Sequence, residues 1–161
     1  MAARRPPVTN AIRELRQAGA DYTEHLFDYR QYPGADGAAE ALGIDVHLTA
    51  KTIVFTTDTN NGVVAMMHGD LEVSTKKLAR EIGVKSIRAA TQREADRFTG
   101  YKFGGTSPLG MKTDLPVFCQ ASLAALETVY VNAGSRGFLI EIDPQTLIEL
   151  TGAVLADVAV D

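Results

Sequence analysis

Hydrophobic and polar positions along this chain switch repeatedly between helical spacing and the alternation of strands, so the pattern predicts a fold that mixes the two. Ile12 and Leu15, with alanines nearby, mark a short amphipathic helix that Gly19 terminates. Tyr22 to Phe27 reads as a strand, Tyr32-Pro33-Gly34 breaks the chain, and a second short helix runs from around Gly37 to Leu42 before Gly43. Thr52 to Thr57 and Gly62 to Met67 are β-rich segments on either side of a polar Asp-Thr-Asn-Asn-Gly turn, which predicts a hairpin. Ser74 caps a helix that Gly83 closes, and Thr91-Gln92-Arg93-Glu94 forms a capping box opening another helix before Gly100.

Downstream, Val117 to Cys119, Thr128 to Val131 and Phe138 to Ile142 read as strands, with a small helix from Ser122 to Leu126 after the first. Asp143 and Pro144 start a last helix, Gly152 ends it, and Val154 to Val160 returns as a final strand. Some strands come as hairpins and others are separated by helices, without any repeat. The fold class is therefore α+β: a curved mixed β-sheet or partly closed barrel with peripheral helices.

A chain of 161 residues with 45% hydrophobic content is long enough for one buried core and too short for two ordinary domains. Residues 1 to 8 read as a disordered lead-in and residues 9 to 161 as a single domain. No apolar run reaches the roughly 18 to 20 residues of a membrane span, and the Arg4-Arg5-Pro6-Pro7 start lacks the apolar region of a secretory signal, so a cytoplasmic protein is expected. The single cysteine, Cys119, lies in an apolar run and reads as a buried core thiol. A net charge of −4 excludes a generally basic nucleic-acid coat while leaving room for a local basic patch.

Gly100 to Gly110, Gly-Tyr-Lys-Phe-Gly-Gly-Thr-Ser-Pro-Leu-Gly, carries the strongest chemical signal. Its glycines permit left-handed backbone and close approach, Pro108 stiffens the loop, and Thr106 and Ser107 add hydroxyls, a composition suited to holding an oxygen or an anion. It is not a nucleotide-hydrolysing P-loop, because Met111 separates Gly110 from Lys112, and the dinucleotide-binding glycine spacing is absent. His25, His47 and His68 fall on different predicted elements without a paired ligand motif, so no metal site is expected. No serine or cysteine nucleophile stands beside an identifiable base. Lys51, at the edge of the apolar segment that follows it, combines with the glycine loop into a coherent carbonyl or phosphate site. Lys76, Lys77 and Arg80 on one predicted helix are candidate RNA phosphate contacts, set against the simpler reading of a solvated helix face.

Taken together, Lys51-Thr52-Ile53-Val54, the loop from Thr99 to Gly110, and Tyr130-Val131-Asn132-Ala133-Gly134-Ser135-Arg136-Gly137 resemble the YbaK/EbsC family of Cys-tRNA(Pro) deacylases. The resemblance covers almost the whole chain after residue 8. It implies the fold of the editing domain inserted in bacterial prolyl-tRNA synthetases, and an activity that removes cysteine from mischarged tRNA-Pro, and also from Cys-tRNA(Cys). It implies no metal or organic cofactor, aminoacyl-tRNA as partner, and an association with prolyl-tRNA synthetase. Lys51 and Gly104 match the family's essential lysine and functional glycine, with Thr52 supporting the lysine and Gly105, Thr106 and Ser107 supplying donors. In the family's proposed chemistry the substrate thiol attacks its own carbonyl.

Three positions depart from the family pattern: Phe27 stands for a tyrosine, Asn132 for a serine and Leu139 for an aspartate. Phe27 loses a hydroxyl, Asn132 keeps hydrogen-bonding capacity at the substrate, and Leu139 loses a charge that could face an ammonium. Two other readings follow: a deacylase for alanine or another small amino acid, and a catalytically weak tRNA- or synthetase-binding module.

Overall fold

The computed structural model describes residues 5–161. Its helices are α1 (Asn10–Gln17), α2 (Gly34–Leu42), α3 (Thr75–Ile82), α4 (Gln92–Thr99) and α5 (Pro144–Thr151). The strands are β1 (Tyr22–Leu26), β2 (Thr49–Thr57), β3 (Gly62–His68), β4 (Ile87–Ala89), β5 (Val117–Gln120), β6 (Val129–Ser135), β7 (Phe138–Ile142) and β8 (Val154–Ala156). Short 3-10 helices cover Val46–Leu48 and Ala121–Ala125. The expected lead-in at residues 1–8 lies partly outside the described residues, and residues 5–8 carry no regular element.

The strands form one mixed sheet in the order β1-β7-β6-β2-β3-β5-β8, with β4 paired to β2. Hairpins supply the antiparallel β2–β3 and β6–β7 pairs, while β2–β6, β3–β5 and β5–β8 run parallel. Strand β2 is the hub. One of its edges pairs with β3 from Ala50 to Thr56. The other meets β6 only at Thr49 and Ala50, and β4 only from Phe55 to Thr57, so no strand covers Lys51–Ile53 on that edge.

Strand alternation sorts the apolar residues into layers. Ala50, Val54, Val64, Met66, Val117 and Cys119 face the main core, where Ile12 and Leu15 of α1 and Leu147 of α5 cover them. Full burial of a side chain such as Leu15 contributes about 1.5–3 kcal/mol. Phe55, Ala65, Met67 and Phe118 face the other way and pack under Leu78 of α3. A third group, Tyr130 and Leu139 with Ala38 of α2, lies beside Phe27. Among the described residues no helix is long and apolar enough to cross a membrane.

The predicted hairpin, the capping box at Thr91 and Glu94, and the helix starts at Ser74 and at Asp143-Pro144 are all present. Several boundaries differ, among them the end of β6, which runs on to Ser135 past the expected Val131. Helix α2 begins at Gly34 because extended Pro33 serves as its cap. Strand β2 begins at Thr49 because β6 recruits Thr49 and Ala50, which puts Lys51 inside the strand rather than at its edge. The segment from Ser122 to Leu126 is a 3-10 helix shifted by one residue. The final strand stops at Ala156, since Gln120 draws in Asp157 and Val158 by hydrogen bonds before Ala159 pairs with Val73. Strand β4 was not foreseen, for three residues carry too little pattern without β2 beside them.

Strand β3 ends in His68, which is 0% exposed. Its Nδ1 lies 2.7 Å from the His47 carbonyl and its Nε2 lies 2.7 Å from Ser122 Oγ. A carbonyl only accepts, so Nδ1 carries the proton and Ser122 donates to Nε2. The ring stacks on His47 at 3.8 Å, and His47 in turn binds Asp70 at 2.9 Å. Burial lowers the pKa of His68 below its ordinary 6.5, outweighing the hydrogen bond to His47. The unfolded chain then takes up a proton before the folded one, so the stability contributed by neutral His68 is full above pH 6.5 and is lost as pH falls below it. Urea midpoints measured from pH 8 to pH 5 should fall below pH 6.5 in the native protein, and a His68→Gln variant, though less stable at pH 8, should show the flatter profile.

Candidate active site

The gap on the outer edge of β2 opens a cleft of about 530 Å³. Thr49 to Ile53 form its floor, Pro33 to Ala35 and Ala38 form one wall, and Phe103, Gly104 and Thr106 form another. Phe27, Tyr29, Tyr130, Asn132 and Leu139 complete it. Lys51 is the one charged side chain among the described lining residues. Its Nζ donates to the Leu71 carbonyl at 2.7 Å, which fixes the ammonium and leaves its other N–H groups for a ligand. The Thr52 hydroxyl is buried without a hydrogen-bond partner among the described residues.

The glycine loop is held from several sides. Tyr101 Oη donates to the Leu109 carbonyl at 2.5 Å, Leu109 is buried in the main core, and the Gly110 N–H binds the Glu14 carboxylate on α1. Gly104 has φ 86°, and a Cβ there would stand 2.5 Å from Tyr29 Oη. Gly105 packs directly on the backbone of the β6–β7 turn, where a Cβ would come within 2.9 Å of Arg136 N. Asn132 ties the two segments together: its Oδ1 accepts from Gly134 N–H at 2.6 Å, while Nδ2 donates to the Ser135 and Gly104 carbonyls at 3.1 and 3.3 Å. Arg136 Nε donates to the Phe103 carbonyl at 2.8 Å, with its guanidinium 5.5 Å from the Tyr29 ring centre.

These contacts sort the residues singled out from the sequence. Lys51, Thr52, Phe27, Gly104, Thr106 and Asn132 meet at one cleft. Gly105 and Ser107 are corrections. The Gly105 N–H is committed to the Lys102 carbonyl at 2.9 Å, while Ser107 is 0% exposed and out of the cleft lining, its Oγ accepting from the Leu109 N–H at 3.2 Å. Asn132 lines the cleft but commits its amide to the loop backbone. On α3, Lys77 Nζ donates to the Ala159 carbonyl at 2.8 Å and to Asp161 at 2.7 Å. Lys76 and Arg80 are exposed and make no ion pair among the described residues.

Sequence reasoning missed Tyr29, whose phenol enters the cleft against Gly104. Only the fold reveals this. The histidines are also less scattered than expected, since His47 and His68 come together with Asp70, their ligand atoms lying within 4.8 Å of one another. Both nitrogens of His68 are nevertheless occupied by protein groups. Cys119 lies in the core, 2% exposed, and burial pushes its thiol up to about 12, far from a neutral-pH nucleophile. A separate groove of about 730 Å³ carries Asp21, Glu141, Asp143 and Glu149, a charge pattern that repels phosphates.

The sequence model of the aminoacyl-tRNA editing domain matches residues 31–150. This chain belongs to that family. The editing domain acts on aminoacyl-tRNA, and its activity is deacylation. EbsC of Enterococcus faecalis, named for a proposed Cys-tRNA(Pro)/Cys-tRNA(Cys) deacylase activity, is 33% identical over 93% of this chain and 92% of its own. A proline–tRNA ligase of Ligilactobacillus salivarius is 33% identical over 62% of this chain and 17% of the ligase. A crystal structure described as a proposed trans-editing enzyme for prolyl-tRNA synthetase superposes with a TM-score of 0.84 at 26% identity, covering 94% of this chain and 96% of that one.

The loop geometry separates two variants. Gly104→Ala meets both a backbone penalty of about 1–3 kcal/mol and the Tyr29 phenol, so deacylation should fall sharply even where circular dichroism shows a folded protein. Ser107→Ala orphans the Leu109 N–H at a cost of about 1–3 kcal/mol, so it should lower the melting temperature and leave kcat near the native value.

Proposed function

We propose that the protein is a trans-editing deacylase that removes cysteine from mischarged Cys-tRNA(Pro), with Cys-tRNA(Cys) as a second substrate. One observation carries the reading: the described residues lining the cleft include a fixed cation and a glycine wall but no serine, cysteine, histidine or carboxylate. A site so built supplies orientation and charge, and with no histidine or carboxylate in the lining to activate its threonines or the Lys51 amine, the nucleophile comes from the substrate or from water. Cysteine brings its own.

On this reading the thiol sulfur attacks the aminoacyl carbonyl carbon, the bond from that carbon to the ribose oxygen breaks, and the ribose oxygen takes up the proton that the thiol gives up. The products are tRNA with a free terminal hydroxyl and a cyclic thiolactone, which water then opens to cysteine. Lys51 stabilises charge on the carbonyl or ribose oxygen. Gly104 leaves room for the acyl group, Thr106 supplies a hydroxyl, and Thr52 supports Lys51. Phe27, Tyr130 and Leu139 give the side chain an apolar surround, and Asn132 acts by holding the Gly104 loop. Residues 9 to 161 form a single deacylase domain. Its tRNA would be released by prolyl-tRNA synthetase in the cytoplasm, with Lys76 and Arg80 available to phosphates.

The apolar Leu139 favours one second reading, a deacylase for alanine, because a wall without a carboxylate accepts a methyl group as readily as a thiol-bearing one. Deacylation of tRNA-Pro charged with Cys, Ala, Ser or Pro separates the two. We expect Cys to be cleaved much faster than Ser, since the two are close in size but differ greatly in nucleophilicity. Mass spectrometry of the earliest product should find the thiolactone; free cysteine carrying oxygen from labelled water, with Ser cleaved equally well, would establish a water nucleophile instead.

Removing the cation tests the site itself. Lys51→Ala should lower the deacylation rate by about 10²- to 10³-fold, the usual cost of one charge-stabilising donor. Its urea midpoint should remain close to native. A folded Lys51→Ala protein with native turnover excludes Lys51 from the reaction.

A further inference from the structure

Phe103 is 66% exposed, and it is the only aromatic residue in the exposed class among the described residues. A single exposed apolar side chain is ordinary on a protein surface. This one differs in where it stands and in how it is held. It follows Lys102 and precedes Gly104, at the rim of the cleft that contains Lys51. Its backbone is fixed on both sides: the Phe103 carbonyl accepts from Arg136 Nε at 2.8 Å, and the Gly105 N–H closes a tight turn onto the Lys102 carbonyl at 2.9 Å. The ring is thus presented to solvent from a fixed position without being packed into the core.

Positive charge lies alongside. Lys102 is exposed and makes no ion pair among the described residues, and Arg136 uses only its Nε in hydrogen bonding, leaving the terminal guanidinium nitrogens available. An exposed π-face flanked by two cations is what single-stranded nucleic acid needs, one surface for a base and charge for the adjoining phosphate. If the acyl group sits between Lys51 and Gly104, the ribose that carries it lies at the rim beside Gly104, where the preceding residue Phe103 stands. We propose that Phe103 is the stacking platform for the 3′-terminal base of the tRNA acceptor strand, with Arg136 and Lys102 pairing with the adjacent phosphate. This subsite rests on the deacylase reading for its orientation, but its ligand is the RNA end itself, charged or uncharged.

The experiment uses an uncharged RNA oligonucleotide ending in CCA, with binding read by fluorescence anisotropy at fixed salt. Phe103→Ala should weaken binding roughly 5- to 100-fold, the range for loss of one base–aromatic stack, whereas Phe103→Trp should retain it. The same oligonucleotide with an abasic 3′-terminal residue should bind the native protein as weakly as the intact RNA binds Phe103→Ala, and Phe103→Ala should bind both RNAs alike. On aminoacyl-tRNA, Phe103→Ala should raise KM with little change in kcat. Equal RNA affinity in the native protein and Phe103→Ala, or an undiminished abasic penalty in Phe103→Ala, overturns the proposal. Loss of RNA binding in Phe103→Ala, in a protein that deacylates no aminoacyl-tRNA, would sustain the subsite and sink the proposed function.

Discussion

The cleft depends on a mismatch of lengths along one edge of β2. Nine residues of β2 face β6 and β4, which together pair with only five of them; of the other four, Val54 still accepts from the Ala90 N–H, and the uncovered backbone at Lys51–Ile53 is where the sheet parts. An open edge in the middle of a sheet ordinarily invites pairing with another chain. Here α2, the glycine loop and the β6–β7 pair surround it, so the open edge becomes the floor of a cavity. Lys51 stands on that floor because strand alternation points it away from the main core, toward the face that carries Ile53 and Phe55.

What makes the glycine loop a wall is its fastening at several points. Glu14 of α1 holds one end, Tyr101 bridges it internally, and Asn132 with Arg136 clamps its middle to the β6–β7 turn. The glycines are required because these contacts bring backbone against backbone at Gly105, and because Gly104 combines positive φ with the phenol of Tyr29. Such fastening pre-organises the cleft, lowering the cost of ordering it when substrate binds. The loop's polar groups are largely consumed in building it, and this is why a hydroxyl as conspicuous as that of Ser107 ends up serving the fold.

A lone cation in a cleft without carboxylates sets the chemical character of the site. No acidic side chain among the lining residues neutralises Lys51, so its charge is directed at whatever enters. The rest of the lining is aromatic, aliphatic or neutral polar, and it distinguishes substrates by shape and by the reactivity they carry. Leu139 extends the apolar part of that lining.

Local chemistry was legible from the sequence. The Asn-Gly turn, the caps at Ser74, Thr91 and Asp143 and the glycine terminators act over a few residues, so they mark the elements they bound without help from the rest of the chain. The ordered motifs around Lys51, Gly104 and Arg136 likewise pointed to the family. Only the tertiary structure decided which residues of those motifs line the cleft. Gly104 and Thr106 do and Gly105 and Ser107 do not, because the loop's conformation is set by partners 33 residues downstream at Arg136 and 96 residues upstream at Glu14. The same dependence on distant partners hid β4, the tether of Lys77 to Asp161, the meeting of His47 with His68, and Tyr29 beside Gly104. Short-range pattern names the elements of a site; the direction of each side chain within it is fixed by packing between segments far apart in the chain.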